Sequence, residues 1–256
     1  MIVALAVVVI VVLVAAQATA LLRRPPKALV GTGPASAAVP FDSDRPRDPF
    51  NKLVGVLRRR RWVRRSLSAV SVVAMLVAVG VIGYPFYTNM VQGRIQDRLD
   101  RQFESDELRQ SYVDRTLEEG DSLTRIRIPR LDVEVVVVEG TTSESLKAGA
   151  GHYAETPLPC EAGNVAIAGH RTTYGRPFAD LDLLRPGDEI ILEVPGGGSC
   201  TYEMQERPFI TTPDNFAVVE NTDDSRVTLT TCHPKGSARQ RLIVQAIMVS
   251  SEPANA

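Results

Sequence analysis

VTLTTCHPKGSARQRLIVQAIM, residues Val227 to Met248, carries the fold of this chain in its pattern. Two apolar-rich runs flank Pro234, Lys235, Gly236 and Ser237, residue types that make turns. The stretch therefore reads as strand, tight connection, strand. Side chains alternate across a strand, so Val227 and Leu229 share one face while Thr228, Thr230 and Cys232 share the other. In the second run Leu242, Val244, Ala246 and Met248 form the core side, and Arg241 and Gln245 point away from it. A thiol closing one strand and a guanidinium opening the next thus stand on the non-core faces of neighbouring strands.

Upstream, Asn164–Gly169 (NVAIAG) alternates Val165 and Ile167 inward with Ala166 and Ala168 outward, then delivers His170. A nucleophile, an acid/base group and a fixed cation from three strand ends, distant in sequence, is how cysteine sites are assembled. Two other histidines compete. His233 adjoins Cys232, so a continuing strand sends its ring to the opposite face, and His152 lies in AGAGHYAETP with no other functional type beside it. Both read as structural or substrate-lining. Cys232 has a bland alternative, an inert core cysteine; its place on the threonine face, at a strand end, argues against that. Arg241 alone would be a surface residue. Beside Cys232 it gains a role, because a guanidinium is always charged and offers fixed donors to a carbonyl oxygen that is becoming negative.

TLTTC followed nine residues later by Arg241, with AGHRTTYGRPF upstream, resembles the sortase family of cysteine transpeptidases. The form TTCHP…SARQRLIV resembles class E sortases of high-GC Gram-positive bacteria. The resemblance covers about Leu123 to Val249 and departs at none of the three key positions. It implies a mainly β fold, an eight-stranded barrel with short helices. It also implies that Cys232 forms a thioacyl-enzyme, that His170 protonates the departing amine and then deprotonates the incoming one, and that Arg241 holds substrate and oxyanion. Thr231, through its backbone N–H, with His233 and Tyr174, are the candidates to contact substrate. The implied substrate is a surface protein with a C-terminal sorting signal of LPxTG type, or LAxTG for class E, cut between Thr and Gly. The implied acceptor is an amine of a cell wall precursor, or a pilin lysine in pilus-building relatives. No cofactor and no metal is implied. A hydrolytic cysteine peptidase would use the same site with water as acceptor, and a membrane-tethered binding module would leave Cys232 incidental. Reference pKa values of ~8.5 for Cys and ~6.5 for His make both partners mostly neutral at pH 7. An ion pair stabilised by the site and a minor reverse-protonated fraction both remain open.

The net charge of −1 over 256 residues hides a split: residues 1–87 hold 12 Lys and Arg against 3 Asp and Glu, and residues 88–256 hold 17 against 27. The basic residues flank apolar spans and the rest is acidic, which argues against a nucleic-acid partner. Residues 1–22 are expected to form a transmembrane helix; Ala18-Thr19-Ala20 is signal-like, but no basic residue precedes the apolar run. Residues 23–65 read as a disordered Pro/Gly/Ala-rich cytoplasmic linker ending in RRRRWVRR. A second span follows at 66–87, and the basic residues crowding its N-terminal side put the remainder outside the cell. Residues 88–120 read as an extracellular helical stalk, with Ile95, Leu99 and Phe103 at helical spacing. The catalytic domain is expected over 121–256. Its candidate strands are Leu123–Ile128, Val133–Glu139, Asn164–Ala168, Glu189–Val194, Thr201–Ile210, Val227–Cys232 and Leu242–Ser250, with helical turns at Ser143–Gly149 and Pro177–Leu184. Such a density of strands suits a closed, antiparallel-rich barrel.

Three cysteines are an odd number. With Cys232 reduced, Cys160 and Cys200 either pair in an oxidising exterior or stay as two independent buried thiols. A zinc reading fails because Arg does not ligate metal and no further Cys/His spacing suits zinc. Gly196-Gly197-Gly198 follows Pro195 as a hairpin tip and lacks the Lys-Ser/Thr of a phosphate loop.

Overall fold

The computed structural model of the protein describes residues 61–253; the expected first span, 1–22, and nearly all of the 23–65 linker lie outside them. Helix α1 runs Arg61–Phe103, so the last basic residues of the linker are already helical. Val70, Val73, Leu76, Val79 and their neighbours are exposed, and only 6% of the most apolar 18-residue window is buried. A core helix of a water-soluble fold would bury that surface, whereas a helix this long and apolar is able to cross a membrane.

Past Tyr84 the helix changes character. Ile95, Leu99 and Phe103 pack with Leu108 of α2 (Asp106–Asp114) against Val136 and Val138, so the expected stalk lies along the domain. Ser105 caps α2 by accepting from the Leu108 amide, and Asp106 and Glu107 favour the same positive helix end.

Nine strands follow: β1 Ser122–Ile128, β2 Val133–Glu139, β3 Ala150–His152, β4 Asn164–Gly169, β5 Glu189–Val194, β6 Gly198–Met204, β7 Phe209–Thr211, β8 Arg226–His233 and β9 Gln240–Glu252. Their order is β6-β5-β1-β2-β3-β4-β8-β9, and β9 returns to pair with β6, so eight strands close a barrel. Pairing is antiparallel except for β2 with β3 and β4 with β8. Alternation is visible in the packing: Val165, Ile167, Val227, Leu229, Leu242, Val244 and Ala246 all enter the barrel core. β2 lacks alternation because both its faces are covered. Val137 points into the barrel while Val136 and Val138 meet α1.

Two details differ from the sequence expectation. The single strand expected at Thr201–Ile210 is two, β6 ending at Met204 and β7 opening at Phe209, both along one edge of β9. Pro208 has no N–H to donate to a ladder, and the chain detours there. Strand β3 was not anticipated, since three residues carry no readable period. Among the described residues short 3₁₀ turns occupy Ser145–Ala148 and Leu181–Leu183, within the expected helical turns.

Cys160 and Cys200 are bonded, with Cα atoms 5.5 Å apart, joining the loop after β3 to β6 across a separation of 40 residues. Closing a loop of that size lowers the entropy of the unfolded chain by an amount worth about 4 kcal/mol. Replacing both with alanine should therefore cost up to about that much in chemical denaturation, and wild-type protein unfolded under reducing conditions should lose a similar amount.

Candidate active site

Strand direction gathers the candidate residues. β4 and β8 run parallel, with Ala168 beside Thr230, so both end at the same rim. β9 runs antiparallel to β8 and begins at that rim, with Arg241 directly opposite Cys232. His170 follows β4 by one residue. Thr231 Oγ1 donates to the Gly169 carbonyl at 2.7 Å, tying the end of β8 to the residue before His170.

Cys232 is a free, half-buried thiol. His170 is fixed through its backbone: its N–H donates to Gly149 O at 3.0 Å, and its carbonyl accepts from Phe178 at 3.2 Å. Gly169 is required here, because a Cβ would sit 2.3 Å from Cδ2 of the buried Phe178. The imidazole lies 5.3 Å from the Tyr174 ring, tilted by 30°. Burial pushes the His170 pKa below its ordinary value, because the cation loses hydration. Arg241 Nη1 donates to the carbonyls of Ala238 at 3.2 Å and Gln240 at 3.3 Å. The loop thereby steadies the guanidinium while, among the described residues, Nε and Nη2 make no hydrogen bond.

Sequence reading passed over Arg171, which is only 5% exposed. Its Nε donates to Ala179 O at 3.3 Å, Nη1 to Cys232 O at 3.2 Å and to His233 Nδ1 at 2.8 Å, and Nη2 pairs with Asp182 Oδ1 at 2.7 Å. The residue after His170 thus grips the backbone of Cys232. A guanidinium can only donate, so His233 Nδ1 is an acceptor and its ring carries the proton on Nε2. The signal was its position in AGHR, but a charged residue in a loop ordinarily reads as exposed.

The remaining candidates divide. Thr231 is buried and its hydroxyl is spent on Gly169, which leaves only its backbone to meet a ligand. His233 is held by Arg171, and Tyr174 lies against His170. His152 is fully buried, with Nδ1 2.9 Å from Glu139 Oε2 and Nε2 3.0 Å from Pro157 O. It stands apart from the rim. Tyr153, also unanticipated, shares a 3.1 Å hydrogen bond with Thr230, two residues before Cys232 on the same strand face. Tyr153 and Phe216 line a cleft of about 900 Å³ together with Ala154, Thr156 and Val219.

Arg171→Lys keeps the charge but cannot span four acceptors in a planar fork. It should lower unfolding stability by about 1.5–3 kcal/mol, the worth of a hydrogen bond to a charged group, measured by denaturant titration. An unchanged midpoint would mean that the grip is energetically idle.

A family model described as the sortase domain matches residues 126–249. Sortase SrtE1 of Streptomyces coelicolor is 35% identical over 153 residues, which cover 54% of this chain and 43% of that protein, so the chain spans less than half of that relative. Among solved structures, a Clostridium perfringens Sortase D5 transpeptidase is 29% identical with a TM-score of 0.55, covering 63% of this chain and 99% of that one. The SrtF sortase from Corynebacterium diphtheriae is 31% identical with a TM-score of 0.51, covering 55% of this chain and 90% of that one. With the barrel closed and these two solved structures covered to 99% and 90% of their chains, the chain belongs to the sortase family.

Proposed function

We propose that this chain is a membrane-anchored cysteine transpeptidase, most like class E sortases, that cleaves an LPxTG- or LAxTG-like sorting signal between Thr and Gly and transfers the protein to an amine of a cell wall precursor. The observation that carries the reading is the pairing of Cys232 with Arg241 at the rim where β4 delivers His170. Its domain plan is a first span at 1–22, a linker at 23–65, a second span at 66–87, a helical segment at 88–120 and the catalytic domain at 121–256. The basic block before the second span stays in the cytoplasm, and the catalytic domain works outside.

In this mechanism the Cys232 thiolate attacks the Thr carbonyl of the sorting signal. The oxygen becomes negative, and the unengaged donors of Arg241 stabilise it, with the Thr231 N–H as a further donor. Collapse expels the Gly amine, which takes a proton from His170, and leaves a thioacyl-enzyme on Cys232. The acceptor amine then attacks the thioester, His170 takes its proton, and Cys232 departs. The peptide lies along the β4–β8 face beside Tyr153, with His233 and Tyr174 at its reacting end.

Incubating the full chain with LPxTG and LAxTG peptides and a glycine amine should give cleavage after Thr and a new amide bond. Formation of the free acid alone would make it a hydrolase, and no thioacyl-enzyme at all would remove the reading. Cys232→Ala should abolish turnover, and His170→Ala should lower it ~10²–10⁴-fold. Arg241→Lys should also lose much activity, because charge without the fork does not cradle the oxyanion.

The direction of the His170 shift makes a separate prediction. Leaving-group departure needs the imidazolium, and burial makes that form scarcer. The imidazolium is therefore lost as pH rises through a value below the ordinary ~6.5 of histidine, and NMR of the His170 ring in the resting enzyme should place its titration midpoint there. A midpoint above that ordinary value would contradict the direction of the shift.

A further inference from the structure

The residues around His170 are held from an unexpected side. The turn after it, Tyr174-Gly175-Arg176, has three successive positive φ angles of 48°, 70° and 45°. Side-chain-bearing residues occupy that region at a cost, and they persist there only when surrounding contacts over-determine them. Those contacts come from α1. Asn89 Oδ1 accepts the Gly175 N–H at 3.1 Å, and the Tyr84 side chain lies near enough to the Tyr174 phenol to disfavour its ionisation. Gln92 packs so closely that a Cβ on Gly175 would lie 2.7 Å from its side chain. Gln92 and Gln96 also donate to Ala148 O at 3.3 Å and 2.9 Å, just before the Gly149 carbonyl that anchors the His170 N–H. Tyr174 then completes the path by lying against the imidazole.

We propose that the domain-proximal end of α1 belongs to the working site: Tyr84 and Asn89 are positioning residues that hold the Tyr174–Arg176 turn, and through it the His170 ring. The proposal rests on His170 acting as the proton donor and acceptor named above. None of the α1 residues touches the reacting atoms. Their effect is to keep one ring orientation populated when the leaving amine needs its proton, and misplacement of a proton donor by an ångström is costly.

The test uses the full chain in detergent micelles, comparing wild type, Asn89→Ala, Asn89→Asp and Tyr84→Phe. Amide hydrogen exchange over residues 170–178 reads the turn directly, without any need for turnover. Asn89→Ala should speed exchange there roughly tenfold and lower kcat roughly tenfold or more, with KM within about twofold. Alkylation of Cys232 by iodoacetamide should stay within about twofold, because the nucleophile is not disturbed. Asn89→Asp retains an acceptor oxygen for the Gly175 N–H and should restore both exchange and kcat, whereas a variant that merely weakened the fold would show no such rescue. Tyr84→Phe should fall between them. Unchanged exchange at 170–178 in Asn89→Ala overturns the proposal, as does unchanged kcat or an Asp variant as slow as the Ala variant. If wild type turns over no sorting peptide, the function proposed above falls, and exchange still decides whether α1 holds the turn.

Discussion

Everything at the rim depends on β8 lying between a parallel partner and an antiparallel one. Parallel pairing with β4 brings two strand ends to one side of the barrel, and antiparallel pairing with β9 brings a strand start to the same side. The side-chain period of a strand is two, so a slip of one residue would turn Cys232 into the core and expose Val227 and Leu229. Burial of those residues with Val165, Ile167 and Val244 resists such a slip. At ~25 cal/mol per Å² of apolar surface, the core holds the register far more firmly than any single bond at the rim does. The positions of a nucleophile and its charged neighbour are therefore consequences of hydrophobic packing.

Polar contacts then refine what the core sets. Thr231 and Arg171 are both buried, and each joins the β4 side of the rim to the β8 side, one through Gly169 and the other through Cys232. A buried guanidinium is tolerable only with its donors satisfied, and Arg171 finds three acceptors besides the carboxylate of Asp182. Such a network specifies geometry more than it adds stability. Arg241 sits at the same rim, half-exposed, with donors left for a ligand.

Helix α1 changes surface along its length. Between Val70 and Val81 its apolar side chains are exposed, while Leu99 and Phe103 are buried against β2. The change falls near Tyr84, where aromatic and amide side chains replace the aliphatic run. Side chains of that kind can hydrogen-bond to loop backbone, and they do so at Gly175 and Ala148.

The sequence by itself determined which residues of β4, β8 and β9 face the core. Periodicity is local, so TLTTC, NVAIAG and RLIVQAIM declare their faces without reference to anything distant. Turn chemistry at Pro234–Ser237 likewise announced the β8–β9 pair, and so the Cys232–Arg241 neighbourhood. Only the tertiary structure decided the rest. That β4 lies beside β8 joins residues about sixty positions apart, and no local pattern encodes such a partner. The pairing of Cys160 with Cys200 turns on a distance that sequence arithmetic leaves open. β3 is too short to show a period, and the break between β6 and β7, with Pro208 in it, becomes visible only where both strands pair along one edge of β9. Arg171 looked like a surface charge because its burial depends on acceptors that Ala179, Asp182 and the Cys232–His233 strand end supply only once the chain has folded.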